Sequence, residues 1–306
     1  MTITMQIPIN QKNSFIYCSG YWALTKNPKH SFEHYKYYMP LTLNMISNRS
    51  LYFFTNEQRV LDNIKKCCES RDIQLTSVLI DIEHLPAGDI AGEIVECCER
   101  MHLEQFTRPS RYHREKGVIH YWRDLVDGGR DTYKRMLAIW LSKVYLASIV
   151  ANKSQNSEGI AWIDMTLSRF NYKRENWDFS QIPNHRGVVS HYGSNMRVYG
   201  SRLPLNAAYL AAEVEVWTYL KNLFQSVLYD AKFMPYGHDE ETVLGECVRR
   251  KPELFHCVGE PITSKSPGLL QSVARRIQRK MLRGFLKVRE LPWRKLSYQR
   301  IKEDRP

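Results

Sequence analysis

"SLYFFTNEQRVLDNIKKCCESRDIQLTSVLIDI", residues 50–82, is the stretch whose reading decides the fold. Its first apolar run, residues 50–56, has the aromatic and leucine content of a buried strand, and "LTSVLIDI" at 75–82 reads the same way. Between them, "NEQRVLDNIKKCCES" spaces its apolar residues as a helix does, with Asn56 as the expected N-cap. Upstream, "SFIYCSGYW" at 14–22 reads as a short strand running into a loop. "SFEHYKYYMPLTLNM" at 31–45 reads as a helix that Pro40 should kink or end. Strand, helix, strand, helix, strand implies parallel pairing, because each crossover helix returns the chain in the same direction. The sequence therefore predicts an α/β, Rossmann-type first half with a mostly parallel sheet flanked by helices.

The pattern continues outward from there. "AGDIAGEIVECCERMHLEQF" is helical in spacing, and residues 108–131 read as an exposed polar and aromatic loop. Residues 132–153 predict a helix with Met136, Leu137, Trp140, Leu141, Val144, Tyr145 and Ala147 on one broad buried face. "GIAWI" follows as a strand and delivers the chain to Asp164. "VVSHYG" and "MRVYGS" read as short strands, and residues 205–231 as one long helix. A further helix begins near Asp239 and stops before Pro252, and "LFHCVGEP" is a last strand and turn.

Composition narrows the class. The 306 residues are 43% hydrophobic and 25% charged, ordinary for a globular protein. Seven cysteines with no C-x-x-C spacing argue against a zinc ribbon and for a reducing compartment. No run approaches the roughly 20 apolar residues that span a bilayer, and the first fifteen residues show no secretory pattern. A cytoplasmic protein is expected. Of the formal charge of +12, thirteen Lys/Arg against three acids place +10 in residues 263–306. The chain thus divides into a nearly neutral body, 1–262, and a basic tail, 263–306.

The candidate chemistry centres on Asp164. In open parallel sheets ligands bind beyond the carboxyl ends of strands, and a carboxylate there can hold a hard divalent cation that bridges phosphates. Equally, it can cap a turn. Asp239 and Glu240 open a helix, where carboxylates either cap it or orient an attacking hydroxyl and take its proton. Lys143, Arg135 and Arg169 are cations suited to phosphate pairing or to plain solvation. His256 is a candidate metal ligand or an ordinary hydrogen-bonded histidine. No G-x-S-x-G, Walker A or G-x-G-x-x-G pattern occurs, which argues against serine-hydrolase and P-loop chemistry.

The order of these features resembles that of the bacterial HtrL/YibB-like family of GT-A-type glycosyltransferases. The resemblance rests on Lys143, Trp162-Ile163-Asp164, Gly200, Asp239-Glu240 with Leu244, and Pro252-Leu254-Phe255, and covers residues 14–260. Thr166 departs from it, standing where the family tends to have glycine. It implies a GT-A-like catalytic domain over 1–262, a nucleotide-sugar donor, and Mn²⁺ or Mg²⁺ held by Asp164 with His256 as a second candidate. It further implies a donor site of Tyr17, Cys18, Ser19, Gly20, Lys143, Arg169 and Gly200, with Asp239 and Glu240 facing a glycan or glycolipid acceptor of lipopolysaccharide or capsule synthesis.

The tail fits that picture. Leu270, Val273, Ile277, Met281, Phe285 and Val288 recur at helical spacing, with Arg275, Arg276, Arg279, Arg283 and Lys287 mostly opposite. Such a basic amphipathic helix suits an anionic membrane surface over residues 269–302, which would hold the enzyme peripherally on the inner face of the cytoplasmic membrane. An ordered apolar stripe fits nucleic acid less well, and no nucleic-acid partner is expected; packing on the body or a second subunit stays open. The rival for the whole chain is a non-catalytic α/β protein that docks on membrane or nucleic acid through this tail.

Overall fold

The computed structural model describes residues 15–24, 31–100, 116–170, 186–198, 201–231 and 239–259, together with residues 273, 276, 277 and 280. In chain order the elements are β1 (Phe15–Tyr21), α1 (Phe32–Leu43), β2 (Ser50–Thr55), α2 (Gln58–Glu69), β3 (Gln74–Leu79), α3 (Gly88–Arg100), α4 (Lys116–His120) and α5 (Arg130–Lys153). Then come β4 (Gly159–Ile163), β5 (Val189–Tyr192), β6 (Arg197–Val198), β7 (Ser201–Arg202), β8 (Asn206–Ala212), α6 (Val214–Ala231), α7 (Glu240–Arg250) and β9 (Phe255–Gly259). Seven strands form one sheet in the order β3-β2-β1-β4-β8-β5-β9, and β6 and β7 form a separate hairpin. Within the large sheet β8 alone runs against its neighbours. The architecture is an α/β layered fold with a mostly parallel mixed sheet flanked by helices, as the strand–helix alternation of residues 50–82 predicts.

Two apolar clusters sandwich this sheet. One packs α3, α5, α6 and α7 against Cys18, Tyr52, Phe54, Ile160 and Trp162. The other packs α1 and α2 against Tyr17, Tyr21, Leu51, Phe53, Ala161 and Ile163. Successive strand residues alternate between the two clusters, as side chains of period two must when both faces are covered. Helix α5 is buried almost all round, with the expected Met136, Leu137, Leu141, Val144 and Ala147 joined by Tyr133, Ala138, Ile139 and Lys143. Trp217 Nε1 on α6 donates to Ile160 O at 2.9 Å, which pins that helix to the central strand β4.

Four local expectations are corrected. Residues 206–212, expected to begin a long helix, are the central antiparallel strand β8, buried at every position. Alanine is the strongest helix former, but intrinsic propensity is a small term, and burial between β4 and β5 overrides it. Pro40 does not end α1, which continues to Leu43 because Met39, Thr42 and Leu43 are buried against the body. Residues 116–126, expected within an exposed loop, are helical: α4 continues as a π-helix, Tyr121–Val126, that buries Tyr121, Asp124 and Leu125. Asn56 is not the N-cap of α2; Glu57 is, and Thr55 Oγ1 accepts from its N–H at 3.3 Å.

All seven cysteines are free thiols. Among the described residues no helix is long and apolar enough to cross a membrane. Of the expected tail helix, Val273, Arg276, Ile277 and Lys280 are described; they are helical and exposed, and the rest lies outside the described residues.

Candidate active site at the strand ends

The order of the sheet locates the site before any side chain does. The chain lays β1, β2 and β3 outward in one direction, then crosses back to place β4 on the other side of β1. Loops leaving the carboxyl ends of β1 and β4 therefore diverge, and such a switch point opens the crevice where ligands of open α/β sheets bind. Cys18 pairs with Trp162 across these strands, and two residues further on each strand are Gly20 and Asp164. Asp164 is the first residue beyond β4, and its side chain is 22% exposed.

Three elements converge on that carboxylate. Trp162, two residues earlier and so on the same side of the strand, donates from Nε1 to Asp164 Oδ1 at 2.9 Å. Lys143 arrives from the buried helix α5, with Nζ 2.9 Å from Oδ1 and 3.0 Å from Oδ2. The same ammonium donates to Glu240 Oε1 at 3.1 Å, at the start of α7. Glu240 Oε2 is buried and has no hydrogen-bond partner. Burial alone would push Asp164 up. The Lys143 charge, the Trp162 and Lys143 hydrogen bonds and Arg169 together outweigh it and hold Asp164 below the usual carboxylate range. Burial would likewise strip Lys143 of its proton, but Asp164 and Glu240 push it above its ordinary value.

The loop after Asp164 is fixed by helix α1. Thr42 Oγ1 donates to Met165 O at 3.0 Å and accepts from Ser168 N at 3.2 Å. That tie sets the turn Leu167–Arg169 and leaves Arg169 exposed, its guanidinium over the Phe170 ring at 4.7 Å. Part-buried Tyr35 of α1 packs its ring on Tyr21 at 4.5 Å. Its hydroxyl is pushed up to about 12, by burial first and then by Asp164, with Arg169 and Lys143 opposing. Tyr35 thus shares the field of the strand-end cluster.

A second cluster lies beside it, at the start of α7. Lys116 of α4 sits 3.1 Å from Asp239 Oδ1 and 2.7 Å from Glu241 Oε2. Asp239 is the N-cap of α7 and accepts from Thr242 N at 3.2 Å and from Thr242 Oγ1 at 2.7 Å. Glu241 Oε1 accepts from the Ala207 N–H of β8 at 3.3 Å. Burial raises Asp239, and Lys116, His120 and the hydrogen bonds from Thr242 and Lys116 together more than reverse it, so this carboxyl lies below its usual value. Glu241 goes the other way: burial and the nearby Glu240 hold it above its usual value despite Lys116. One turn along α4, His120 Nδ1 lies 2.7 Å from Asp124 Oδ2, and its ring meets Trp140 at 4.5 Å. Burial keeps His120 below its ordinary value, against the pull of Asp124.

The structure thus brings together Asp164, Lys143 and Glu240, with Arg169 in electrostatic reach. It separates the others. Tyr17, Cys18 and Ser19, which the resemblance places in the donor site, lie within β1 and are buried. Only Gly20 reaches the level of Asp164. A Cβ there would stand 2.5 Å from the Trp22 ring, so glycine is what lets Trp22 fold back over the strand end. Asp239 is consumed by capping and by Lys116. Arg135 pairs with Glu83 at 2.9 Å on the surface. Thr166 is buried, so its side chain does not crowd the crevice. Gly200 lies outside the described residues.

The expected metal set is not assembled either. His256 is exposed on the edge strand β9, three ladders from β4, and at about 4.8 Å per ladder that is roughly 14 Å. Asp164 already gives both oxygens to Lys143. Among the described residues no group of three or more His, Cys, Asp or Glu forms a metal site. The described residues therefore do not fit the divalent ion expected from sequence. Lys116, Glu241, Tyr35 and the indole of Trp162 are the site residues sequence reasoning missed; only Trp162, two positions before Asp164, carried a readable signal. No family model matches this chain, and no curated protein matches it in sequence.

Proposed function

We propose that this chain is a glycosyltransferase of GT-A-like design that draws its sugar from a nucleotide donor bound at the β1–β4 crevice. The observation that carries the reading is Asp164: a part-exposed carboxylate at a topological switch point, held ionised by a buried lysine and an indole. A carboxylate so oriented can accept hydrogen bonds from donor hydroxyls, and exposed Arg169 can pair with the phosphates. Of the two carboxylates expected to face the acceptor, Glu240 remains the candidate. It shares Lys143 with Asp164 and keeps one oxygen without a partner, whereas Asp239 is spent on the helix cap. Oε2 is buried in the free protein, so it would take a proton from an attacking hydroxyl group only after donor binding has opened the crevice toward α7. The resemblance to HtrL/YibB-like enzymes supplies the acceptor class, a lipid-linked or surface glycan.

The test is a thermal-shift panel of nucleotide sugars on the full chain. A ligand that binds only the folded state raises its midpoint by mass action. The expected result is a shift by one nucleotide class that Asp164→Asn removes while the unliganded midpoint stays close to wild type. A shift that survives Asp164→Asn sinks this placement of the donor. For the membrane partner, Val273 and Ile277 are 49% and 54% exposed and lie one helical turn apart beside Arg276 and Lys280. Truncation after Pro261 is expected to abolish sedimentation with anionic liposomes; unchanged sedimentation refutes the anchor.

A further inference from the structure

We infer that Lys143 is the resident cation of the strand-end site, standing where a divalent ion would otherwise bridge Asp164 and Glu240, so that ligand binding there needs no added metal. A hard divalent ion collects several oxygen ligands at about 2.0–2.6 Å and is drawn to paired carboxylates. Here the pair exists, but both partners already converge on one ammonium, at 2.9 and 3.0 Å from Asp164 and 3.1 Å from Glu240. The Asp164 oxygen nearer the indole carries a second donor, Trp162 Nε1. An ion entering this space must displace a buried ammonium or sit beside it as a like charge.

The lysine is built in rather than incidental. It projects from the middle of α5, a helix buried along most of its length, and its side chain is 6% exposed. The ammonium is enclosed, so parting it from its carboxylates would leave a buried charge with no partner. The carboxylates hold its proton on at any physiological pH. The inference depends on the donor reading only for the ligand's identity; the ion-binding half stands without it.

The experiment uses the full chain as wild type, Asp164→Asn, Lys143→Ala and the double variant, each with EDTA or with millimolar Mn²⁺. The expected wild-type midpoint is the same in both conditions. Lys143→Ala leaves two carboxylates around an open space, and its midpoint is expected to rise with Mn²⁺. That rise should vanish in Lys143→Ala with Asp164→Asn. Mn²⁺ that stabilises wild type and fails to stabilise Asp164→Asn overturns the inference, whether or not Lys143→Ala folds. So does a folded Lys143→Ala that ignores Mn²⁺. In the ligand arm, a nucleotide sugar should bind wild type with equal affinity in EDTA and in Mn²⁺. Binding that appears only with Mn²⁺ overturns metal independence. Silence of every nucleotide sugar in both conditions refutes the donor reading instead, and the ion arm still decides the role of Lys143.

Discussion

Two buried lysines in this molecule do the same thing in different surroundings. Lys116 bridges Asp239 and Glu241, and Lys143 bridges Asp164 and Glu240. The Lys116 triad is closed: the Asp239 side chain is 1% exposed, and the cap, Thr242 and the Ala207 N–H take up its remaining bonds. The Lys143 triad is open on one side, where Asp164 is 22% exposed. Identical chemistry is therefore sealed in one place and part-exposed in the other, and what separates them is access. Both triads end on α7, whose first two residues and N-cap carry three consecutive acids. The closed triad fixes the start of α7, and that fixes Glu240 against Lys143.

The comparison breaks most sharply if the closed triad proves dispensable. Lys116→Met leaves Asp239 and Glu241 buried without their cation, and removing one partner of a buried pair costs about 3–5 kcal/mol. Chemical denaturation should show that loss directly. Lys143→Met should cost less, about 2–3 kcal/mol, because Asp164 can rehydrate at the crevice while Glu240 cannot. If the two variants lose equal stability, the open side of the Lys143 triad is closed in solution and its ligand-facing role fails.

How far the sequence shows these triads follows from how each residue is buried. The β2–α2–β3 unit is legible because its signals are local: two apolar runs and an amphipathic segment of the right lengths. Asp164 is legible too, as a carboxylate ending an apolar run. β8 is not, because "NAAYLAA" has helical composition and becomes a strand only by insertion between β4 and β5. Lys116 is illegible for a similar reason. In sequence it stands among arginines, histidines and tyrosines and reads as solvated; its burial depends on α7, more than a hundred residues later. Ser19 and Gly20 read as the start of a loop because Ser and Gly punctuate the run, yet β1 continues through them in pairing with β2.

The smallest effect sharpens the comparison through acid. Asp164 and Asp239 both lie below their ordinary values in the folded state. A carboxyl depressed by folding contributes stability above its unfolded value, near 3.9, and that contribution is lost as pH falls through the folded value. Glu241 has the opposite sign. Its folded value is raised, so its ionisation opposes folding at neutral pH and the penalty is relieved as pH falls toward its unfolded value, about 4.3. Between neutrality and about pH 4 the Glu241 contribution should therefore raise stability, and below about pH 4 the two aspartates should lower it. Glu241→Gln removes the first limb while keeping an acceptor for the Ala207 N–H. Its stability at pH 7 should stay within about 1 kcal/mol of wild type, and its profile should flatten between pH 7 and about pH 4 with the acid limb below unchanged. Urea unfolding of both proteins across that range measures the difference. A profile of Glu241→Gln that still rises on acidification as wild type does would show that Glu241 is not the raised group, and that the closed triad carries its charge as fully as the open one.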